Sequence, residues 1–456
     1  MSATVRRGEV FRYESYEIDS GAGLLSCRYS LDGRKFEERF TLSLEGCWDA
    51  PEVAAAARLV FLLAGVSYYK TAAPPVVDLH EQALTELERS LLRSFYTEGL
   101  GEFAYCNNLD LSDLIFRSRS APAGAGSAYD EIGVKDSARN YSRGLPRQPV
   151  LVPFGGGIDS IVTVEGVRRR ADVALFVMNR PGDRFDGIEA PAALAGLPVV
   201  RAEREIDSQM LRSRELGFLH GHVPVTGILS AVAVLAAVLD RREAVVMSNE
   251  WSASVPTLEH NGRPVNHQWS KSAAFEAAFR SVLAAQPAVL PDYFSALRDR
   301  TELWVAEKFA SLESYHSTFR SCNKAFPLDK ARRLDHWCGQ CDKCCFIDLI
   351  LAPFMPARAL RAVFAGEPEP LSDAALAPKF RALLGSGNKP FECVGEIREC
   401  RAAVLLAARR TDRADCGLLQ DLAAEVACCP DAPADAEIAA MRRPVGKSFV
   451  PTTFAL

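Results

Sequence analysis

Residues 150–165 read VLVPFGGGIDSIVTVE. A short aliphatic run, VLV, leads through Pro153 and Phe154 into three consecutive glycines, and a helical stretch carrying Ile161, Val162, Val164 and Val167 on its apolar side starts at once. Strand, glycine loop and helix in that order make a phosphate cradle. Gly155, Gly156 and Gly157 let the backbone come close to an anion, the N–H groups of the loop and first helical turn point at it, and the helix dipole adds a favourable field. Ser160 can donate a further hydrogen bond, and Asp159 can accept from the helix N-terminus or hold Mg²⁺. The plainer alternative is a tight turn in which Asp159 only caps a helix. The loop contains neither the Gly-Lys-Ser/Thr of a Walker motif nor GxGxxG, so it is a third type of phosphate loop.

The pattern outward from this loop is α/β. Aliphatic runs at 173–177, 197–200 and 244–247 read as strands, separated by helical stretches at 159–170, 187–195 and 225–240. Such alternation predicts a doubly wound parallel sheet, whose ligands bind at the carboxyl ends of the strands. Residues 8–45 instead alternate apolar and polar positions around Asp19-Ser20-Gly21 and Asp32-Gly33, which predicts antiparallel strands joined by turns. With helical spacing at 51–66 and 81–97, residues 1–117 read as a small α+β domain. The segment 118–148 is rich in Ser, Ala, Gly and Pro and reads as a linker or lid. A nucleotide domain at 149–350 and a helical C-terminal region at 351–456 complete the division, and after about residue 290 the chain reads as helical apart from a cysteine cluster.

Composition narrows the functional classes. Of 456 residues, 48% are hydrophobic and 24% charged, an ordinary globular balance. The net charge of −5 gives no overall basic field for a nucleic acid. The uncharged run at 223–239 contains Pro224 and Gly227 and lies between predicted strands, so a buried core helix is expected there and no membrane span. The N-terminal arginines are followed by no apolar stretch, so a cytoplasmic location is expected.

Of the 13 cysteines, seven fall between Cys322 and Cys400. Cys322, Cys338, Cys341 and Cys344 have a spacing that can close around a tetrahedral, structural Zn²⁺. A CxxCxxC run also suits an iron–sulfur cluster, but the third residue after Cys344 is Ile347 and the fourth is Asp348, so the bacterial ferredoxin pattern lacks its fourth cysteine. His220 and His222, just before the long apolar helix, are candidate acid–base groups, with polar loop residues or a helix cap as the equal alternative. Ser248-Asn249-Glu250-Trp251 and His267-Gln268-Trp269-Ser270-Lys271 gather polar and aromatic groups where a strand-end ligand would lie, and Glu250 joins Asp159, His220 and His222 as a catalytic candidate.

GGGIDS resembles the SGGxDS loop of the PP-loop ATP pyrophosphatase superfamily, whose members cleave ATP to AMP and pyrophosphate while adenylating an oxygen of the substrate. The resemblance covers roughly residues 148–350 and implies a PP-loop, HUP-like fold. Gly156 and Gly157 match the paired glycines, Asp159 the acidic residue and Ser160 the terminal hydroxyl, while Gly155 stands where the family has serine. The deazapurine nitrile synthases of that superfamily look similar around Cys322 and WCGQCDKCCF. Over nearly its full length the chain is similar to the ATP-dependent epimerases that act on UDP-N-acetylmuramoyl-L-alanyl-L-glutamate in peptidoglycan synthesis, on the segments FRYESYEIDSGAGLLSCRYSLDG, VPFGGGIDSIVTVE, SNEWSAS, NHQWSKSAAFE and WCGQCDKCCF. This resemblance implies ATP and Mg²⁺ as cofactors, adenylation of the terminal glutamate carboxyl, inversion at its α-carbon, and a small-molecule UDP-muramoyl dipeptide as partner. An amidating or thiolating enzyme acting on a deazapurine or tRNA, and a non-catalytic nucleotide sensor, are the rival readings.

Overall fold

The computed structural model describes residues 7–456 except 121–146, 261, 328 and 388. Its twelve strands are β1 (Val10–Asp19), β2 (Leu24–Leu31), β3 (Arg34–Thr41), β4 (Val76–Leu84), β5 (Ile115–Ser120), β6 (Gln148–Pro153), β7 (Ala171–Asn179), β8 (Val199–Glu205), β9 (Ala244–Met247), β10 (Leu258–His260), β11 (Arg263–Val265) and β12 (Asp292–Ser295). All but the β10–β11 hairpin belong to one ten-stranded sheet in the order β12-β9-β6-β7-β8-β3-β2-β1-β4-β5.

From β12 to β8 every neighbouring pair is parallel. Counted along the chain from β6, these strands lie in the order 3-2-1-4-5, the doubly wound arrangement, whose direction of winding switches between β6 and β9. The α/β expectation and the parallel strands therefore stand. Helices α1 (Pro51–Ala64), α2 (Val66–Tyr69), α3 (Glu86–Thr97) and α4 (Gly101–Asn107) precede β6; α5 (Ile158–Val167), α6 (Asp186–Ala195), α7 (Val225–Leu239), α8 (Ala273–Ala284) and α9 (Glu302–Ala310) accompany the parallel strands. The C-terminal helices are α10 (Asp342–Leu351), α11 (Ala357–Val363), α12 (Ala377–Leu383), α13 (Ile397–Ala408), α14 (Gly417–Ala427) and α15 (Asp435–Met441).

Alternation along β6 feeds two cores. Leu151 points into a core shared with α1 and α7, while Val150 and Val152 point into one shared with α5, α9, α10 and α13. Helix α7 is buried nearly all round, which is why it carries no charge. The helical stretch Pro51–Tyr69 is long and apolar enough to cross a membrane, and 78% of it is buried inside the molecule.

Three expectations are corrected. The N-terminal strands are not a separate unit: β3 pairs antiparallel with β8, Phe40 opposite Arg204, so the meander extends the parallel sheet. The helical C-terminal region likewise has no core of its own, because Leu360, Phe380 and Val404 share the core of Val150 and Ile161. Strand β12 interrupts the stretch expected to be helical after 290; its sequence, DYFS, has no β-branched residue, and its place is set by pairing with β9. The expected linker or lid lies, at 121–146, outside the described residues, and its ends at 118–120 and 148 belong to β5 and β6.

Candidate active site

The glycine loop leaves the carboxyl end of β6 at the switch point. Gly156 has φ +74°, and a Cβ there would lie 2.0 Å from the Gly187 carbonyl, so only glycine fits. At Gly155 a Cβ would meet nothing within 4 Å, which leaves one side of the loop open. Gly157 is the N-cap of α5 and no side chain caps that helix, so its first N–H groups remain available to an anion. Ser160 spends its hydroxyl proton on the Gly157 carbonyl at 3.0 Å. Arg320 donates its backbone N–H to Gly156 O at 3.3 Å, and its buried Nε has no hydrogen-bond partner.

Three adjacent strand ends each deliver one acid. Asp159 follows β6, Glu250 follows β9 and Glu302 follows β12, and one oxygen of each lies within 4.8 Å of the others. Glu250 and Glu302 are buried, and Asp159 Oδ1 and Glu302 Oε2 are buried without a hydrogen-bond partner. Burial pushes Asp159 up to about 7, with the charge of Glu250 adding to it and Lys343 and Lys271 opposing. Glu302 is held well above the usual carboxylate range by burial and then by Asp159 and Glu250. Acids forced together with orphaned oxygens fit a bound cation.

The loops carrying Glu250 and Lys271 are tied to one buried guanidinium. Arg298 is 1% exposed, pairs with Glu276 at 2.7 Å, and donates to the carbonyls of Glu250 at 2.9 Å and Lys271 at 2.6 Å. Ser295 adds two bonds, donating from Oγ to Asn249 O and accepting from Asn249 N, both at 2.6 Å.

Beside the acids lies a second charged cluster. Lys271 Nζ approaches Cys393 Sγ to 3.1 Å, and Lys343 donates to the Cys393 carbonyl. Burial alone would raise the Cys393 thiol; the Lys271 charge, a hydrogen bond from His267 and the Lys343 charge reverse this and bring it down to about 5. Burial would lower His267, but hydrogen bonds to Cys393 and Glu102 bring it up to about 9. His222 packs against it in a tilted arrangement, with ring centroids 4.4 Å apart, and burial followed by the His267 charge lowers it to about 4.

The two histidines expected to act together are therefore separated. His222 joins Glu102 and His267, whereas His220 is exposed and its carbonyl accepts from Asn107 at 2.8 Å. Gly221, at φ +153° and against Phe103, breaks the extended alternation that would have put both imidazoles on one side. The four expected thiols do converge: Sγ separations are 4.0 Å for Cys322–Cys341, 3.8 Å for Cys338–Cys344 and 3.4 Å for Cys341–Cys344. Four sulfurs bound tetrahedrally at the usual zinc–thiolate length would be ~3.8 Å apart. Sequence reasoning missed Glu302, Cys393, Glu102 and Arg298. For Glu302 the signal was present, an acid just past a third strand end; Cys393 sits in a loop with no periodicity to mark it.

Comparison with known proteins decides the family. The MurL N-terminal domain matches residues 2–296 and the MurL C-terminal domain residues 318–437. The chain belongs to the MurL family. Proteins named UDP-N-acetyl-alpha-D-muramoyl-L-alanyl-L-glutamate epimerase from Salinispora tropica and Micromonospora sp. are 39% and 38% identical to it, covering 99% and 92% of this chain and 96% and 91% of their own lengths. A protein of the same name from Xanthomonas oryzae pv. oryzae is 38% identical over 88% of this chain and 86% of its own. No solved structure gives a significant match. The two MurL domains meet at the site: Asp159, Glu250 and Lys271 fall in the N-terminal one, Lys343 and Cys393 in the C-terminal one, and Glu302 between them.

Proposed function

We propose that this protein inverts the α-carbon of the terminal L-glutamate in UDP-N-acetylmuramoyl-L-alanyl-L-glutamate, a peptidoglycan precursor, after ATP adenylates the glutamate α-carboxyl with release of pyrophosphate. Hydrolysis of the inverted adenylate then yields the D-glutamate product and AMP. The observation that carries this reading is an open glycine loop facing three convergent carboxylates, in a chain 39% identical to a named epimerase over 99% of its length. We read the loop as a PP-loop and place the enzyme in the cytoplasm, where ATP and the nucleotide-linked precursor are available.

The chemistry explains the need for ATP. Removing the α-proton of a carboxylate builds a dianion, whereas an acyl-adenylate is neutral at the carbonyl and its α-proton is far more acidic. Gly156, Gly157 and the uncapped N–H groups of α5 would hold the phosphates, and the backbone of Arg320 is bonded to the loop at Gly156. Asp159, Glu250 and Glu302 fit Mg²⁺, which when bound supplies positive charge to the phosphate oxygens. Lys271 and Lys343 would balance the charge that builds on the acyl oxygen as the proton leaves. Cys322, Cys338, Cys341 and Cys344 fit a closed, structural Zn²⁺ site.

The test is incubation with ATP, Mg²⁺ and the L-glutamate nucleotide, followed by chiral chromatography of the released glutamate and analysis of the spent nucleotide. D-glutamate with AMP and pyrophosphate is expected. ADP as the main product, or glutamate that stays in the L form, would overturn the proposal.

A further inference from the structure

Cys393 occupies a place that a structural thiol has no reason to occupy. It is half-buried, and its sulfur sits 3.1 Å from the ammonium of Lys271. The imidazole of His267 pairs through Nδ1 with Glu102, which fixes the ring's orientation, and it lies close enough to the sulfur to hold the thiol's pKa down. Lys343, from α10, holds the Cys393 carbonyl, and Phe391 of the same loop packs on His267 at 6.3 Å and Tyr105 at 5.7 Å, so the loop is anchored at both sides of the thiol. The charged groups that face the sulfur are Lys271, His267 and Lys343, with Glu392 beside it in the chain. Lys271 also interacts with Glu250 and Asp159. A single lysine thus stands between the carboxylates proposed to bind Mg²⁺ and this thiol, the order in which an adenylate phosphate, its acyl group and the α-carbon follow one another.

We propose that the sulfur of Cys393 is the base that removes the α-proton of the adenylated glutamate, with His267 and Lys271 as its positioning residues. The inference rests on the adenylating-epimerase reading. The C–H electron pair moves toward the adenylate carbonyl to give an enolate, and the proton goes to sulfur as S–H. A proton from water then adds to the opposite face of the α-carbon as the electron pair returns from oxygen, and the thiol gives its proton to the hydroxide so formed, restoring the thiolate beside Lys271 and the protonated His267. One proton leaves and one enters, so the product made in D₂O carries deuterium at that carbon. Ion pairing keeps the sulfur ionised at neutral pH, where an isolated thiol is largely protonated.

The experiment compares the wild-type chain with Cys393→Ala and Cys393→Ser in D₂O, reading deuterium at the α-carbon by mass spectrometry and substrate-dependent pyrophosphate release in the same samples. Expected is a fall in deuterium uptake of ~10²-fold or more in both variants, with pyrophosphate release within about tenfold of wild type. Deuterium uptake near the wild-type rate in either variant, or a thioester on Cys393 in the quenched wild-type enzyme, would overturn the proposal. Wild-type protein that releases no pyrophosphate and makes no D-glutamate would instead overturn the reading it rests on. A measurement on the unaltered chain guards against misfolded variants: iodoacetamide at pH 6.5 should alkylate half-buried Cys393 at least tenfold faster than the exposed Cys47 and Cys106. ATP with the dipeptide nucleotide should protect it. Equal or slower labelling of Cys393 counts against an ionised base.

Discussion

Replacing Arg298 by methionine tests whether one buried ion pair holds the site together. Methionine keeps most of the aliphatic volume and removes the guanidinium, leaving the Glu276 carboxylate, 1% exposed, with the Ser295 N–H at 2.9 Å as its remaining donor in the cluster. Deleting one partner of a buried pair costs ~3–5 kcal/mol, because the other charge stays buried and uncompensated. The carbonyls of Glu250 and Lys271 lose donors as well, at ~1–3 kcal/mol for each one that water does not reach. Relaxation recovers part of this, so the expected loss is ~3–5 kcal/mol, against a typical total of ~5–15 kcal/mol. Equilibrium urea unfolding followed by tryptophan fluorescence gives the stability, and AMP formation gives the site's integrity. Adding Glu276→Gln should restore some of the stability, since it removes the orphaned charge, without restoring turnover, since Glu250 and Lys271 stay untethered. A single variant destabilised by less than ~1 kcal/mol with native turnover would refute the reasoning, because the pair would then be worth no more than a surface salt bridge.

Three further outcomes follow from the site. Glu302→Gln removes a carboxyl whose raised pKa costs stability above the ordinary carboxylate range, so the metal-free protein should gain in melting temperature at neutral pH while the additional stabilisation by Mg²⁺ shrinks; calorimetry with and without Mg²⁺ checks both signs. Cys341→Ser should lose bound zinc by elemental analysis and come out largely insoluble; a soluble, active variant would remove the structural role of the four thiols. His267, raised to about 9, contributes stability that is fully present below its ordinary 6.5 and lost as pH rises through about 9, and in Cys393→Ser its titration, followed by NMR of labelled histidine, should move down because a negative partner is gone.

Much of this site was legible because parallel strands bring functional residues to one edge. The glycine loop announced itself by position after a strand, and Asp159 and Glu250 followed from the rule that strand ends face ligands. Glu302 obeyed the same rule and escaped because β12, four residues without a β-branched side chain, gives no periodic signal. Cys322, Cys338, Cys341 and Cys344 were readable from spacing alone, since a local CxxC run fixes relative positions before any folding is known. His220 and His222 show the converse: a two-residue spacing puts side chains together only on extended backbone, and Gly221 breaks it. The union of β3 with β8 was not legible, because an antiparallel pairing across 162 to 166 residues leaves no local pattern in either strand.

The thiol cluster has a consequence for the site beyond pinning the C-terminal helices. Cys322 follows Arg320 and Ser321, whose backbone and side chain touch Gly156 and lie against Gly157, and Lys343 lies between Cys341 and Cys344 at the start of α10. The four converging thiols therefore lie beside both the backbone that meets the glycine loop and the ammonium that meets the Cys393 loop. Residues 318–437 form the matched MurL C-terminal domain, while the glycine loop belongs to the N-terminal one, so the cluster is the point at which one domain's cations are registered against the other's carboxylates. Placing those cations by covalent proximity to the thiols, rather than on a flexible loop, keeps them in position; on the proposed mechanism the charge on the substrate would change around them from carboxylate to adenylate to enolate. On that mechanism the site would bind three charge states in succession, which calls for fixed counter-charges more than mobile ones, because each reorganisation would add to the barrier of the step it serves.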